Sequence, residues 1–169
     1  MSRKRIRVVG YDEGWKDDFR REAARLREAL GPVLVEIHHI GSTAVPGLAA
    51  KPVIDILLEV ESLEALDEAA MVRLGYKPKG ENGIPRRLYF QRGDRDRTHQ
   101  VHAYVHGDGR VRRHLAFRDY LRTHDAVAEE YARIKREAAE ACAGDSEVYC
   151  AMKDEFIQTH ERLALLEQG

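Results

Sequence analysis

The run Val53-Ile54-Asp55-Ile56-Leu57-Leu58-Glu59-Val60 is apolar at nearly every position. A short, almost continuous apolar segment predicts a strand covered on both faces, hence an interior strand of a sheet. The rest of the chain has to supply cover for it. Asp55 is the one charge near the start of that strand, and it has two readings. It is a buried acid paired with Arg or Lys, or it is a carboxylate placed where Mg²⁺ needs one, since that ion takes one or two carboxylates plus phosphate oxygens.

The flanking patterns supply the cover. Trp15, Phe19, Ala23, Leu26 and Leu30 fall three or four apart and predict a helix from about Asp12, stopped by Gly31-Pro32. Ile6–Val9 and Val33–Ile40 read as strands, the second with Val33, Val35, Ile37 and His39 on one face. Ser62 reads as the N-cap of a helix to about Leu74, with Gly75 after it. Arg86–Gln91 and Gln100–His106 read as two more strands around an Arg- and Asp-rich turn. From Arg110 onward the pattern is helical, divided near His124-Asp125 and Gly144-Asp145, with Tyr131, Ile134 and Ala138 on one face and Tyr149, Met152, Phe156 and Leu163 on another. This order predicts an α+β fold in a single domain, 1–169: a small mixed sheet backed by helices, with a helical C-terminal region.

Charge limits the partners. The 28 basic and 29 acidic residues leave a formal net charge of -1, so no global positive field exists to hold a long nucleic acid. Local basic density at Arg86-Arg87, at Arg92, Arg95 and Arg97, and at Arg110, Arg112 and Arg113 is either solvated loop charge or a local anion contact. Two cysteines without metal-type spacing and a basic start too short for a signal peptide or a membrane span predict a cytoplasmic protein.

The segment His39-Ile40-Gly41-Ser42-Thr43 precedes Asp55 and carries the strongest chemical suggestion. Gly41 permits a sharp turn and the close approach of an anion. Ser42 and Thr43 offer hydroxyls and backbone N–H groups at the start of a short helix, a natural place for phosphate; alternatively Ser42 is simply a cap. Lys51 adds a cation at the mouth of the next strand. On the later strand Gln100 and His102 share a face and His99 points away, so His102 is either structural or completes a metal or phosphate site beside Asp55. Glu59 lies too far along the strand to share an ion with Asp55. Arg118 and Arg122, one helical turn apart, either clamp a phosphate or join an ion-pair ladder with Asp119 and Asp125.

The chain resembles the GrpB family almost end to end. The resemblance is carried by Tyr11-Asp12 with Trp15, by His39-Ile40-Gly41-Ser42-Thr43-Ala44-Val45-Pro46-Gly47-Leu48, and by Lys51-Pro52-Val53-Ile54-Asp55-Ile56. It continues through Gly75-Tyr76, Arg87, His102, Phe117-Arg118-Asp119-Tyr120-Leu121-Arg122, Tyr131 with Lys135, and Tyr149 with Lys153 and Phe156-Ile157. It implies a nucleotidyltransferase-like fold, and such domains also occur fused to dephospho-CoA kinase. No settled activity comes with it. Two departures bear on activity: Gln100 stands where a first histidine of a His-x-His pair is common, and Leu57 stands where the active pattern has a second acid.

Together these residues predict a protein that binds a nucleotide or phosphorylated metabolite. Gly41, Ser42, Thr43, Lys51, Arg87, Arg118 and Arg122 would hold phosphate. Asp55 would be the catalytic carboxylate and, with His102 and His39, would hold a divalent ion, Mg, Mn or Zn. With Leu57 unable to serve a two-ion mechanism, nucleotidyl transfer on a small molecule would be slow or absent unless Asp94, Asp96 or Glu81 fills the gap. The alternatives are an accessory or ligand-sensing module using the same pocket, or a metal-dependent hydrolase built on His39, Asp55 and His102.

Overall fold

The computed structural model describes residues 6–93 and 96–168. Asp94, Arg95 and the basic first five residues, which carried part of the charge and targeting readings above, lie outside them.

Helix α1, Gly14–Leu30, forms on the predicted stripe and buries Trp15, Ala23, Leu26 and Leu30. It ends at Gly31, whose positive φ of 65° a β-carbon would disfavour, and whose N–H caps the Arg27 carbonyl. Five strands follow: β1 Leu34–Ile40, β2 Ile54–Val60, β3 Lys77–Pro78, β4 Leu88–Arg92 and β5 His99–Val105, with α2 at Glu68–Arg73. Their spatial order is β1-β2-β5-β4-β3. β2 pairs antiparallel with β1 and parallel with β5, and β4 pairs antiparallel with both β5 and β3. The apolar run is thus an inner strand next to the one leading into Gly41-Ser42, as its composition requires. The fold is α+β with a mixed sheet.

Register decides which face each side chain serves. Asp55 lies opposite Ile40 on one side and Gln100 on the other, while Ile56 lies opposite His39 and Val101. Side chains directly opposite share a face. One face therefore carries Ile54, Ile56, Leu58 and Val60 with Val101 and Ala103, packed under Trp15, Leu26 and Leu30 of α1 and Ala70 and Met71 of α2. Each such side chain contributes about 1.5–3 kcal/mol on full burial. The other face carries Asp55, Leu57 and Glu59 with Gln100, His102 and Tyr104. It is covered by three helices, α3 Gly109–Thr123, α4 Asp125–Ala141 and α5 Ser146–Gln168.

Ile40, Leu57 and Tyr104 pack on Val111 of α3. Val45 and Leu48, from the loop after β1, pack with Leu121 of α3 and Tyr131 of α4. The Gly-Ser loop is thereby wedged between the sheet and the helices.

Several boundaries differ from expectation. Val9 makes only an isolated antiparallel bridge to Ala50, so the expected strand at 6–9 is reduced to that contact. Ser62 caps a turn, accepting from Ala65 N at 3.3 Å, and the helix starts later, at the Asp67 carboxylate that accepts from Ala70 N at 3.1 Å. Met152 and Leu163 are exposed, whereas Tyr149 is fully buried, so only part of the apolar stripe on α5 faces inward. No helix among the described residues is long and apolar enough to cross a membrane.

Candidate functional site

Where the start of β2 meets α4 and α5, a cavity of about 240 Å³ opens between Ser42, Lys51 and Asp55 on the sheet side and Lys135, Tyr149 and Lys153 on the helical side. A larger groove of about 450 Å³ runs between α4 and α5. It is lined by Glu130, Glu137 and Glu155 with Met152, Phe156, Thr159 and His160, and no lysine or arginine is among its described lining residues.

Gly41 is required here for a reason the sequence did not reveal. Its φ is +74°, and a β-carbon at that position would sit 2.6 Å from Asp55 Oδ2. The close approach that glycine permits is that of the Asp55 carboxylate. Ser42 to Ala44 form a single 3-10 turn instead of the start of a helix. Thr43, buried, donates its hydroxyl to the Val53 carbonyl at 3.3 Å and meets His39 Nε2 at 2.9 Å. Its hydroxyl staples the loop to the sheet. Ser42 is left facing the cavity, with the Tyr131 hydroxyl against it.

Lys135 is the most unusual group. It is 1% exposed, and its Nζ has no hydrogen-bond partner. Its neighbour on one side is the face of Tyr131, 4.4 Å from the ring centroid. Lys51 and Lys153 lie over the Tyr149 ring at 4.7 and 4.3 Å, and the Tyr149 hydroxyl is buried without a partner. Arg97 reaches the same cavity, in which Asp55 is the one carboxylate among the described lining residues. Cation–π contacts of this kind stabilise an ammonium by about 0.5–2 kcal/mol, well short of the several kcal/mol needed to desolvate it. Burial, then the charges of Lys153 and Arg136, push the Lys135 ammonium down to about 6, and burial lowers Lys153 as well. Sequence reading gave neither lysine a role. The available signal was position: Lys135 lies one turn after Tyr131 and three before Ala138, inside an apolar stripe, and Lys153 lies one turn after Tyr149.

His102 does stand beside Asp55, its Nε2 3.6 Å from Oδ1. Arg87 Nη1 donates to His102 Nδ1 at 3.3 Å, which leaves the ring proton on Nε2, facing the carboxylate. Arg87 is buried, also donates to the carbonyls of Glu81 and Asn82, and does not reach the cavity. Its place is beside His102, whose ring it orients.

Three other expected residues are occupied elsewhere. Arg118 donates to the His39 carbonyl at 3.2 Å, and Arg122 donates twice to the Ala44 carbonyl, at 3.1 and 2.9 Å. Both brace the backbone of the loop and neither lines the cavity, because the free carbonyls at the end of β1 fall within their reach. His39 lies on the opposite sheet face from Asp55, stacked on Phe19 at 4.7 Å and bonded to Thr43. Burial is the main reason its pKa drops to about 4, opposed by Asp55 and reinforced by Arg122 and Arg118. It is not positioned to share an ion with Asp55.

The donor set therefore fits a protein-held divalent ion poorly. Asp55 and His102 are two ligands, and among the described residues no group of three His, Cys, Asp or Glu is arranged to hold a metal. Leu57 is fully buried against Ile40 and Tyr104, Glu59 is taken up by His38 at 2.6 Å and His106 at 2.9 Å, and Glu81 accepts from the Arg86 N–H. Asp96 does not line the cavity, and Asp94 lies outside the described residues.

The family model described as GrpB protein matches residues 5–162. The chain is 46% identical to the UPF0157 protein YqkA of Bacillus subtilis over 164 residues, 96% of this chain and 48% of that protein. It is 30% identical to the Glutamate-rich protein GrpB of Alkalihalophilus pseudofirmus, covering 93% of this chain and 94% of that one. It is also 31% identical to a Dephospho-CoA kinase of Mycolicibacterium paratuberculosis, covering 97% of this chain and 47% of the kinase. It thus spans about half the length of two of these relatives. The crystal structure of conserved protein GrpB from Enterococcus faecalis superposes with a TM-score of 0.91 at 40% identity, over 96% of this chain and 99% of that one.

Proposed function

Taking the chain as a member of the GrpB family, to which the match over residues 5–162 assigns it, we propose that it binds a phosphorylated small molecule, a nucleotide or a phosphorylated metabolite, in the cavity under α4 and α5. The observation that carries this reading is the Lys135 amine, almost fully buried with no hydrogen-bond partner, lining a cavity shared with Lys51 and Lys153. A buried amine without a partner is costly to charge, and an incoming phosphate supplies the acceptor oxygens that an ammonium needs. Ser42 donates its hydroxyl to the same group. Asp55, with the Nε2–H of His102 toward it, marks the far wall of the cavity and faces whatever the phosphate is attached to. The kinase-named relatives that contain a matching half suit a ligand of this class.

Binding without turnover is the form of the function that the site supports best. The single carboxylate and the buried Leu57 leave nothing to hold a pair of ions, and the hydrolase alternative loses His39 to the other sheet face. Calorimetry against nucleoside triphosphates and phosphorylated metabolites should show saturable binding, and Ser42→Ala should weaken it by about 1.5–3 kcal/mol, the range for a hydrogen bond to a charged group. Pyrophosphate release should stay at background in wild type. Absence of binding across the whole panel would refute the proposal, and robust turnover abolished by Asp55→Asn would replace it with an enzyme.

A further inference from the structure

The three lysines come from three separate segments: Lys51 from the chain entering β2, Lys135 from α4 and Lys153 from α5. They face one another across a cavity of about 240 Å³. Resting on the phosphate-binding reading above, we infer that capture of a phosphate group here is coupled to uptake of a proton by Lys135, so that the cavity charges itself as it fills.

The surroundings of Lys135 supply the reason. On its own helix it has the Tyr131 ring at 4.4 Å and the Arg136 guanidinium as a repelling neighbour. From α5 it faces Lys153, with Tyr149 and the Cys150 thiol in the same cavity wall. From the sheet side come Lys51 and Asp55, with Tyr89 of β4 and Arg97, which precedes β5, farther round the lining. Positive groups outnumber the single carboxylate, and Asp55 already stands 3.6 Å from His102. No anion therefore faces Lys135 closely enough to hold its proton.

The amine accordingly sits near 6, below the pH at which proteins are usually handled; burial lowers Lys153 as well, opposed by Cys150 and Asp55 and reinforced by Lys51. A ligand bringing two or more negative charges reverses the balance. The charge that was repelled by Lys153 and Arg136 becomes attracted by phosphate oxygens, and the amine takes a proton from solvent. Proton and anion then enter together, and each raises the affinity for the other by the same factor.

Inorganic pyrophosphate is the probe. Titrated calorimetrically at pH 7.5 in buffers of different ionisation enthalpy, wild type should take up close to one more proton than Lys135→Met. The protons that belong to pyrophosphate itself cancel in that difference. Wild-type affinity should also fall more steeply than that of Lys135→Met between pH 7 and pH 9, by up to about tenfold per pH unit for one linked proton. In the wild-type chain alone, the ¹³Cε resonance of Lys135 should report a neutral amine at pH 7.5 and an ammonium once pyrophosphate is added. This second measurement stands even if the variant does not fold. Binding with the same proton count in both proteins, or a Lys135 resonance already that of an ammonium before addition, overturns the coupling and leaves the binding reading intact. No binding of pyrophosphate by wild type at pH 6.5 or 7.5 overturns both.

Discussion

Glu22 and Lys135 are each almost absent from the surface, at 3% and 1% exposure, and the molecule treats them in opposite ways. Glu22, in α1, accepts from Arg92 at 2.7 Å, from the Tyr76 hydroxyl at 2.9 Å and from Arg25 at 3.1 Å. It ties the first helix to β4 and to the turn after α2. Lys135, on the other side of the sheet, has the Tyr131 ring and two cations nearby and no acceptor at all. A satisfied buried charge belongs to the framework. An unsatisfied one belongs to something that arrives.

If that contrast is right, the two residues should respond to removal with opposite signs. Glu22→Leu should destabilise the fold most, by about 3–5 kcal/mol, because it leaves Arg92 desolvated without its carboxylate. Urea unfolding would measure it, and a loss under about 1 kcal/mol would show that the network is ornamental. Lys135→Met should do the reverse at pH 7.5 and stabilise the ligand-free chain, on the order of 2 kcal/mol, by removing a group whose burial opposes its charge. The sign follows from the shift. The folded value is lowered from 10.5 to about 6, so between those pH values the unfolded chain holds a proton that the folded one lacks. Wild-type stability should therefore rise with pH across that window, and the rise should flatten in Lys135→Met. A variant that is less stable than wild type at pH 6.5 would place Lys135 in the framework beside Glu22.

The smallest effect falls on Asp55, a charge intermediate between the two. Gly41→Ala puts a β-carbon into the carboxylate at a φ of +74°, and the strain should cost about 1–2 kcal/mol while displacing Asp55 from His102. A thermal shift of less than a degree, with the His102 ring NMR signals unmoved, would mean that the loop yields freely.

Much of this arrangement can be read from the chain alone. The apolar run from Val53 to Val60 dictates an inner strand, and the breaks near His124 and Gly144 set the three C-terminal helices. Ser42, Thr43, Lys51 and Asp55 also line one cavity, and the parallel pairing of β2 with β5 brings His102 beside Asp55. What could not be read is competition for donors. Arg118 and Arg122 have the spacing of a phosphate clamp, but nothing in a linear sequence shows that the His39 and Ala44 carbonyls lie within reach. Strand alternation alone likewise places His39 on a face without saying which element covers that face. Lys135 and Lys153 escaped for a different reason. A lysine in an amphipathic helix is ordinarily a solvated one, and only its place within the stripe of Tyr131 and Ala138 distinguishes it.

The cavity also has a history along the chain. Its serine and first lysine lie in one short stretch, residues 42–51, whereas Lys135 and Lys153 are supplied on the order of a hundred residues later, after β5 has been laid beside β2. Loop closure over such separations grows only logarithmically in cost, about 0.6 kcal/mol for each doubling. The distance itself is therefore no great obstacle, but the contacts it joins are among the longest-range in the fold. They also gather amines with no acceptor between them, so they add nothing to the drive for α4 and α5 to dock, which must come from Val45, Leu48, Tyr131 and Phe156. The apolar wedge of the loop is what assembles the lysine cluster, and a fragment of this chain ending before α4 would keep Ser42, Lys51 and Asp55 yet lose the cluster altogether.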